Sequence, residues 1–259
     1  MKKYFIFYTA RTGSSRLDNK MWQQIAGKTV VELGLERAFG CGLPVVVCTT
    51  FLSEDDKIAA IAKKMGANVY RGSVEDILER YLGAAKQYGA EFFIAVDGDD
   101  LFLEPSYVKE AIKDYKKNKF DAIFCEGLPL GSYGFSVKTS ALEKVCQMKN
   151  EHETQGWARY FTNIKLFKVG VIKARPEHNF TEYRLTLDYA EDLHLIKNLY
   201  KNFYSLGKNF SLSRVISFLV KHPKLAQSNW RRREEYKKRF KNLYGRVYLK
   251  PEFKKYEIR

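Results

Sequence analysis

The sequence predicts an α/β protein with a mostly parallel central sheet and helices on both faces. Two observations carry that prediction. Short apolar segments rich in β-branched and aromatic residues alternate with helical patterns from Lys3 to Cys125, the pattern of a parallel sheet connected through helices. The chain is also 259 residues long and 45% hydrophobic, enough for one large core with a small appendage.

The elements follow in order. Lys3–Ala10 reads as a buried first strand and Thr29–Phe39 as a helix. Pro44–Thr49 is a short valine-rich strand. Ser53 is placed to cap a helix with apolar positions Ile58, Ile61, Ala62 and Met65, which Gly66 stops. Asn68–Tyr70 is a short strand, and Ser73 is placed to cap the next helix through Tyr88. Phe92–Val96 is a strand, Pro105–Tyr115 a helix and Phe120–Cys125 a strand. The rhythm then changes. Leu130–Gly134 is turn-rich, Thr139–Met148 is helical, Thr154–Phe161 is a short helix and Leu166–Lys173 is a strand. Arg184–Leu187 is expected to return as a strand into the main sheet, followed by helices over Ala190–Tyr204 and Ser211–Val220.

The net charge of +15 is uneven: residues 221–259 hold 14 Lys/Arg against 4 Asp/Glu, so +10 belongs to a basic, aromatic extension. Residues 1–220 form the expected main domain. Cys41, Cys48, Cys125 and Cys146 are scattered without metal-site spacing and read as reduced core thiols. No apolar run approaches the roughly 18 residues that span a bilayer. Met1–Tyr8 has too short an apolar stretch for a signal peptide, so the expected location is cytoplasmic.

Chemistry concentrates in two loops beyond strand ends, where open α/β sheets bind ligands. The first, Ala10 to Lys20, joins a small-residue turn to Arg11, Arg16 and Lys20. Turn amides and forked cations suit a triphosphate, although the GxxxxGK[ST] order is absent. The second, Asp97-Gly98-Asp99-Asp100, gathers three carboxylates that repel one another unless a cation joins them; hard oxygen ligands suit Mg²⁺ held together with phosphates. A third segment, Arg184 to Leu193, offers Asp188 at a strand end, where it can share an edge with Asp99. Glu191 and Asp192 read there as first-turn helix residues.

Taken together, these segments resemble the cytidylyltransferase family of the spore-coat polysaccharide, CMP-sialic acid and CMP-ketodeoxyoctonate synthetases, most closely the spore-coat branch. The A-R-x-G-S-x-R-L-P-x-K opening appears at Ala10–Lys20, with Asp18 in place of proline. G-S-x-x-D-[VI]-L-x-R-Y appears at Gly72–Tyr81, G-D at Gly98-Asp99 and L-P-x-G at Leu128–Gly131. E-H-x-T appears at Glu151–Thr154 and R-L-T-[VL]-D-x-x-E-D-L at Arg184–Leu193. The resemblance spans roughly residues 3–230.

It implies a Rossmann-like nucleotidyltransferase fold, with residues 130–182 as an insertion that covers the acceptor and builds a homodimer. It also implies CMP transfer from CTP to a small acceptor in surface glycan synthesis. Arg11, Arg16 and Lys20 would be catalytic. Ala10, Gly13, Ser14, Arg71, Ser73, Asp76, Arg80 and Asp97 would bind the nucleotide, while Asp99 and Asp188 would hold Mg²⁺. Tyr133, Phe135, His152 and Arg159 would face the acceptor. Tyr133 and Phe135 stand where the branch usually has acidic residues, which favours an anionic acceptor near cations such as Arg159. Ser73 and Asp76 also fit a plain helix cap.

Two rival readings stand beside this. Asp97-Gly98-Asp99 fits the D-x-D pattern of a metal-dependent glycosyltransferase. In the extension, Tyr236, Phe240 and Tyr244 among Arg231–Arg233 and Lys237–Arg239 suit nucleic acid, or contact with an anionic surface. On either account the extension should be separable from the main domain.

Overall fold

The computed structural model describes residues 3–13, 16–204, 210–244 and 246–258, with side chains at 237 and 239–244 left aside. Strand β1 (Tyr4–Thr9) leads through a small hairpin, β2 (Gln24–Ile25) and β3 (Lys28–Thr29), into helix α1 (Val30–Phe39). Then come β4 (Val45–Thr50), α2 (Asp56–Lys64), β5 (Asn68–Gly72), α3 (Ile77–Tyr88), β6 (Phe92–Asp97), α4 (Pro105–Asn118) and β7 (Ala122–Glu126). The second half holds β8 (Phe135–Lys138), α5 (Thr139–Met148), α6 (Arg159–Thr162) and β9 (Val169–Lys173). Helices α7 (Ala190–Phe203), α8 (Leu212–Lys221), α9 (Pro223–Ala226) and α10 (Trp230–Tyr244) close the chain, with a 3₁₀ turn at Pro251–Tyr256.

The main sheet runs β5-β4-β1-β6-β8-β7-β9. It is the expected mostly parallel sheet; β8 alone runs against both its neighbours. Alternate residues of β1 feed two apolar layers. Ile6 and Tyr8 join the layer under α1, α4 and α7, whereas Phe5 and Phe7 join the layer under α3 and α5. This two-sided burial explains why β1 and β4 are unbroken apolar runs rather than alternating ones.

Several local expectations are corrected. Ser53 opens a 3₁₀ turn and caps no helix, and the side chain of Asp55 is tied instead to Thr12 and Thr50. The N-cap of α3 is Asp76, which accepts from Glu79 N at 3.1 Å, while Ser73 accepts from Asp76 N at 3.0 Å in the preceding turn. Arg184–Leu187 does not enter the sheet as a strand. It makes two isolated bridges, Leu130↔Arg184 and Asp100↔Thr186, because it crosses the sheet end and pairs with loops there.

The 221–259 extension packs back onto the domain. Val247 and Leu249 are buried in the layer of α3 and α5, and Leu249 bridges Lys149. Burial pushes the Cys41 and Cys146 thiols up to about 12, which keeps both protonated. Among the described residues no helix is long and apolar enough to cross a membrane.

Candidate active site

Strands β1 and β6 lie side by side in register, Thr9 opposite Asp97, so the loops that follow them leave the sheet at one edge. Gly98 N donates to Thr9 O at 2.7 Å, and Tyr8 Oη donates to Gly98 O at 2.8 Å, which fixes the acidic loop against β1. A Cβ on Gly98 would lie 2.8 Å from Thr9 O, so this close approach requires glycine. Across the edge, Leu187 N donates to Asp99 O at 3.1 Å and Thr186 bridges Asp100. Backbone pairing therefore brings Asp188 to Asp99.

The two carboxylates meet on one cation. Lys20 Nζ is within hydrogen-bond distance of Asp99 and lies 3.0 Å from Asp188 Oδ1, which also accepts from Arg16 Nη2 at 2.5 Å. Asp188 Oδ2 accepts from Arg184 Nη2 at 2.7 Å. Burial opposes charge on Asp188, yet Lys20, Arg16 and Arg184 outweigh it and hold its carboxyl below the usual range. Burial likewise pulls Lys20 down, and the two aspartates more than restore it.

Asp97, Asp99 and Asp100 offer carboxylate oxygens within 4.8 Å of one another. The Asp97 side chain is exposed to the open cleft, at whose floor Asp99 and Asp100 lie beside it. Burial and the neighbouring Asp99 push its carboxyl up to about 7, against the pull of Lys20. Asp100 is raised well above the ordinary range by burial, then by Asp99 and Asp97. Such a set either keeps protons or takes a cation.

These residues line a cleft of about 450 Å³, within the size range of small-molecule sites. Ala10, Arg11, Gly13, Arg16 and Lys20 form one wall, Asp97 and Asp99 the floor, and Tyr133 and Phe135 the far side beside Trp157. Gly134 permits that far wall, since a Cβ there would lie 1.7 Å from Ala95 O. Arg80 lies along the cleft 1% exposed. Its Nε and Nη2 are spent on Ser73 O and Val74 O, while Nη1 has no partner. Ser14 lies outside the described residues.

Other expected site residues are placed elsewhere. Arg71 is held by Asp56 and by the carbonyls of Thr50 and Leu52. Asp76 is buried with Lys149 and Thr154, so it ties α3 to α5. His152 is exposed near Asp76 and Glu79. Arg159 is buried, with its guanidinium on Glu151 and Gln155 O. Arg159 is not among the residues that line the cleft, although Gln155, whose carbonyl it binds, is.

Sequence reasoning missed two features. Arg184 and Asp192 form a fully buried bidentate pair, 3.0 and 3.1 Å, and Asp192 also accepts from the backbone of Asp188 and Tyr189. Asp192 is thus a helix-start residue, as expected, that also fixes the backbone of Asp188. The second feature is Tyr236 of α10. It lines the cleft, with the Arg184 guanidinium 4.9 Å from its ring centroid. A Tyr in a basic extension gives no sequence signal of such a contact.

Comparison with known proteins finds relatives of both sequence and fold. The cytidylyltransferase family model matches residues 7–210. The spore coat polysaccharide biosynthesis protein SpsF of Bacillus subtilis is 24% identical over 235 residues, 87% of this chain and 98% of its own. The 3-deoxy-manno-octulosonate cytidylyltransferase of Geobacter sulfurreducens is 34% identical over 113 residues, 42% of this chain and 44% of its own. A solved cytidylyltransferase from Leptospira borgpetersenii superposes with a TM-score of 0.76 at 27% identity, covering 88% of this chain and 98% of that one.

Proposed function

The chain belongs to the cytidylyltransferase family, and from that premise we propose that it transfers CMP from CTP to a small, sugar-like, anionic acceptor in surface glycan synthesis. The observation that carries the reading is Lys20, which joins Asp99 to Asp188 on the wall that also holds Arg11 and Arg16. An acceptor oxygen attacks the α-phosphorus of CTP in line. The new P–O bond forms as the bond to the β-phosphate oxygen breaks, the acceptor proton passes to water, and pyrophosphate departs. Arg11, Arg16 and Lys20 neutralise the triphosphate and the departing pyrophosphate, and the Gly13 turn supplies amides.

Mg²⁺ fits the donor set. Asp99 and Asp188 already share one cation, the Lys20 ammonium, and Asp97 and Asp100 supply further hard oxygens beside them. Asp99 and Asp188 would hold the ion, whose charge would offset that of the phosphates. Lys20 would then be released toward the phosphates.

Arg80, which lines the cleft and keeps one donor without a partner, suits the nucleotide base. Tyr133, Phe135 and Trp157 offer apolar faces for a sugar ring. The anionic acceptor rests on the 3-deoxy-manno-octulosonate of the Geobacter relative's name. A homodimer through residues 130–182 and a cytoplasmic location belong to the same proposal; Val171, 46% exposed on edge strand β9, is consistent with an interface there. Calorimetric titration with CTP, ATP, GTP and UTP tests the nucleotide: CTP should bind at least tenfold more tightly than the others, and equal binding of all four would refute it.

A further inference from the structure

The extension is fastened to the domain at both its ends. At its start Asn229 is fully buried and donates to Arg184 O at 3.0 Å and Asp192 Oδ1 at 2.8 Å. Arg232 pairs with Glu191 at 3.0 Å and lies over the Tyr189 ring at 4.7 Å. The first turn of α10 is thereby fastened to the segment that holds Asp188. Beyond α10 the chain is sewn to the ends of α5 and α6. Asn150 N donates to Tyr248 O at 2.7 Å, Lys250 N to Met148 O at 2.9 Å and Lys165 N to Tyr256 O at 2.9 Å. Helix α10 therefore connects the Asp188 segment to the ends of α5 and α6, and Tyr236 enters the cleft from it.

Resting on the cytidylyltransferase reading, we propose that α10 is a wall of the substrate site and that Tyr236 is a substrate-binding residue whose hydroxyl donates to an α-phosphate oxygen of CTP. The ring is set by the Arg184 guanidinium against its face, and Arg184 is itself fixed by Asp188 and Asp192. The α-phosphate must reach the Asp99–Asp188 edge, because attack occurs there, and that is the edge Tyr236 adjoins. A phenol carries its proton throughout the neutral range and adds no charge, so it can donate to a phosphate oxygen. Arg232 and Arg233 of the same helix are paired with Glu191, Glu235 and Glu234.

The test is Tyr236→Phe, which keeps the ring on Arg184 and removes only the hydroxyl. CTP binding is measured by calorimetry with Mg²⁺ on the full chain, beside the melting temperature. The expected result is about tenfold weaker CTP binding, the scale of one hydrogen bond to a charged group, at an unchanged melting temperature. Unchanged CTP affinity in Tyr236→Phe would overturn the Tyr236 proposal and leave CTP use standing. Failure of the wild-type chain to bind CTP would overturn both.

Discussion

At Lys20 one side chain serves two carboxylates, one of them buried, so its loss has two consequences. Lys20→Ala should weaken CTP binding and also destabilise the fold by about 2 kcal/mol, because Asp188 loses a charged partner while buried. Arg16, whose side chain is 26% exposed, should separate the two effects: Arg16→Ala raises the KM for CTP about tenfold with little change in melting temperature. Steady-state kinetics beside thermal unfolding decides this. Equal melting losses in both variants would contradict it. Asp97 gives the pH signature. A carboxyl raised to about 7 in the folded chain binds its proton more tightly there than in the unfolded chain. Its contribution to stability is therefore full below the ordinary carboxylate range and is lost as pH rises toward and through 7. The metal-free wild type should lose melting temperature over that window relative to Asp97→Asn, and parallel curves would count against the raised carboxyl.

Among the elements, α3 shows why part of the expected site fell outside the cleft. Ser73, Asp76 and Arg80 sit in one motif, but helix geometry sends them to different tasks: a turn, an N-cap with a buried ion pair, and a cleft wall. Sequence alone could not divide them, since Lys149, the partner of Asp76, is 73 residues away. Lys149→Ala leaves Asp76 buried without its cation, and should cost about 3 kcal/mol of stability while the KM for CTP of the folded fraction stays within twofold. Chemical unfolding and kinetics measured together check this; intact stability with a raised KM would return Asp76 to the nucleotide site. The strand–helix alternation, by contrast, was legible, because burial on both faces leaves long apolar runs. The short β8 was not, as only four residues (Phe135–Lys138) pair there and Gly134 disguises its entry. Arg184–Leu187 has strand composition, yet its partners are loops, which periodicity does not reveal.

For the whole molecule, the sheet edge explains most of the arrangement. Parallel β1 and β6 deliver the basic loop and the acidic loop side by side, and the crossing segment before α7 supplies Asp188. This much was readable from strand ends and motif spacing. The role of residues 221–259 was not, because composition reports a basic extension while its contacts depend on Asn229, Val247 and Leu249 meeting distant partners. Through these contacts the extension completes an apolar layer and, by Tyr236, one side of the cleft.

The most direct test of the account is pyrophosphate release from CTP, with Mg²⁺, across a panel of acidic sugars that includes 3-deoxy-manno-octulosonate, using wild type, Asp99→Asn and Asp188→Asn. The account predicts release that requires CTP, an acceptor and the divalent ion, and that falls ~10²-fold or more in either variant, the scale of a lost transition-state charge contact. Full turnover in Asp188→Asn, or release equally fast from ATP, GTP and UTP, would contradict it.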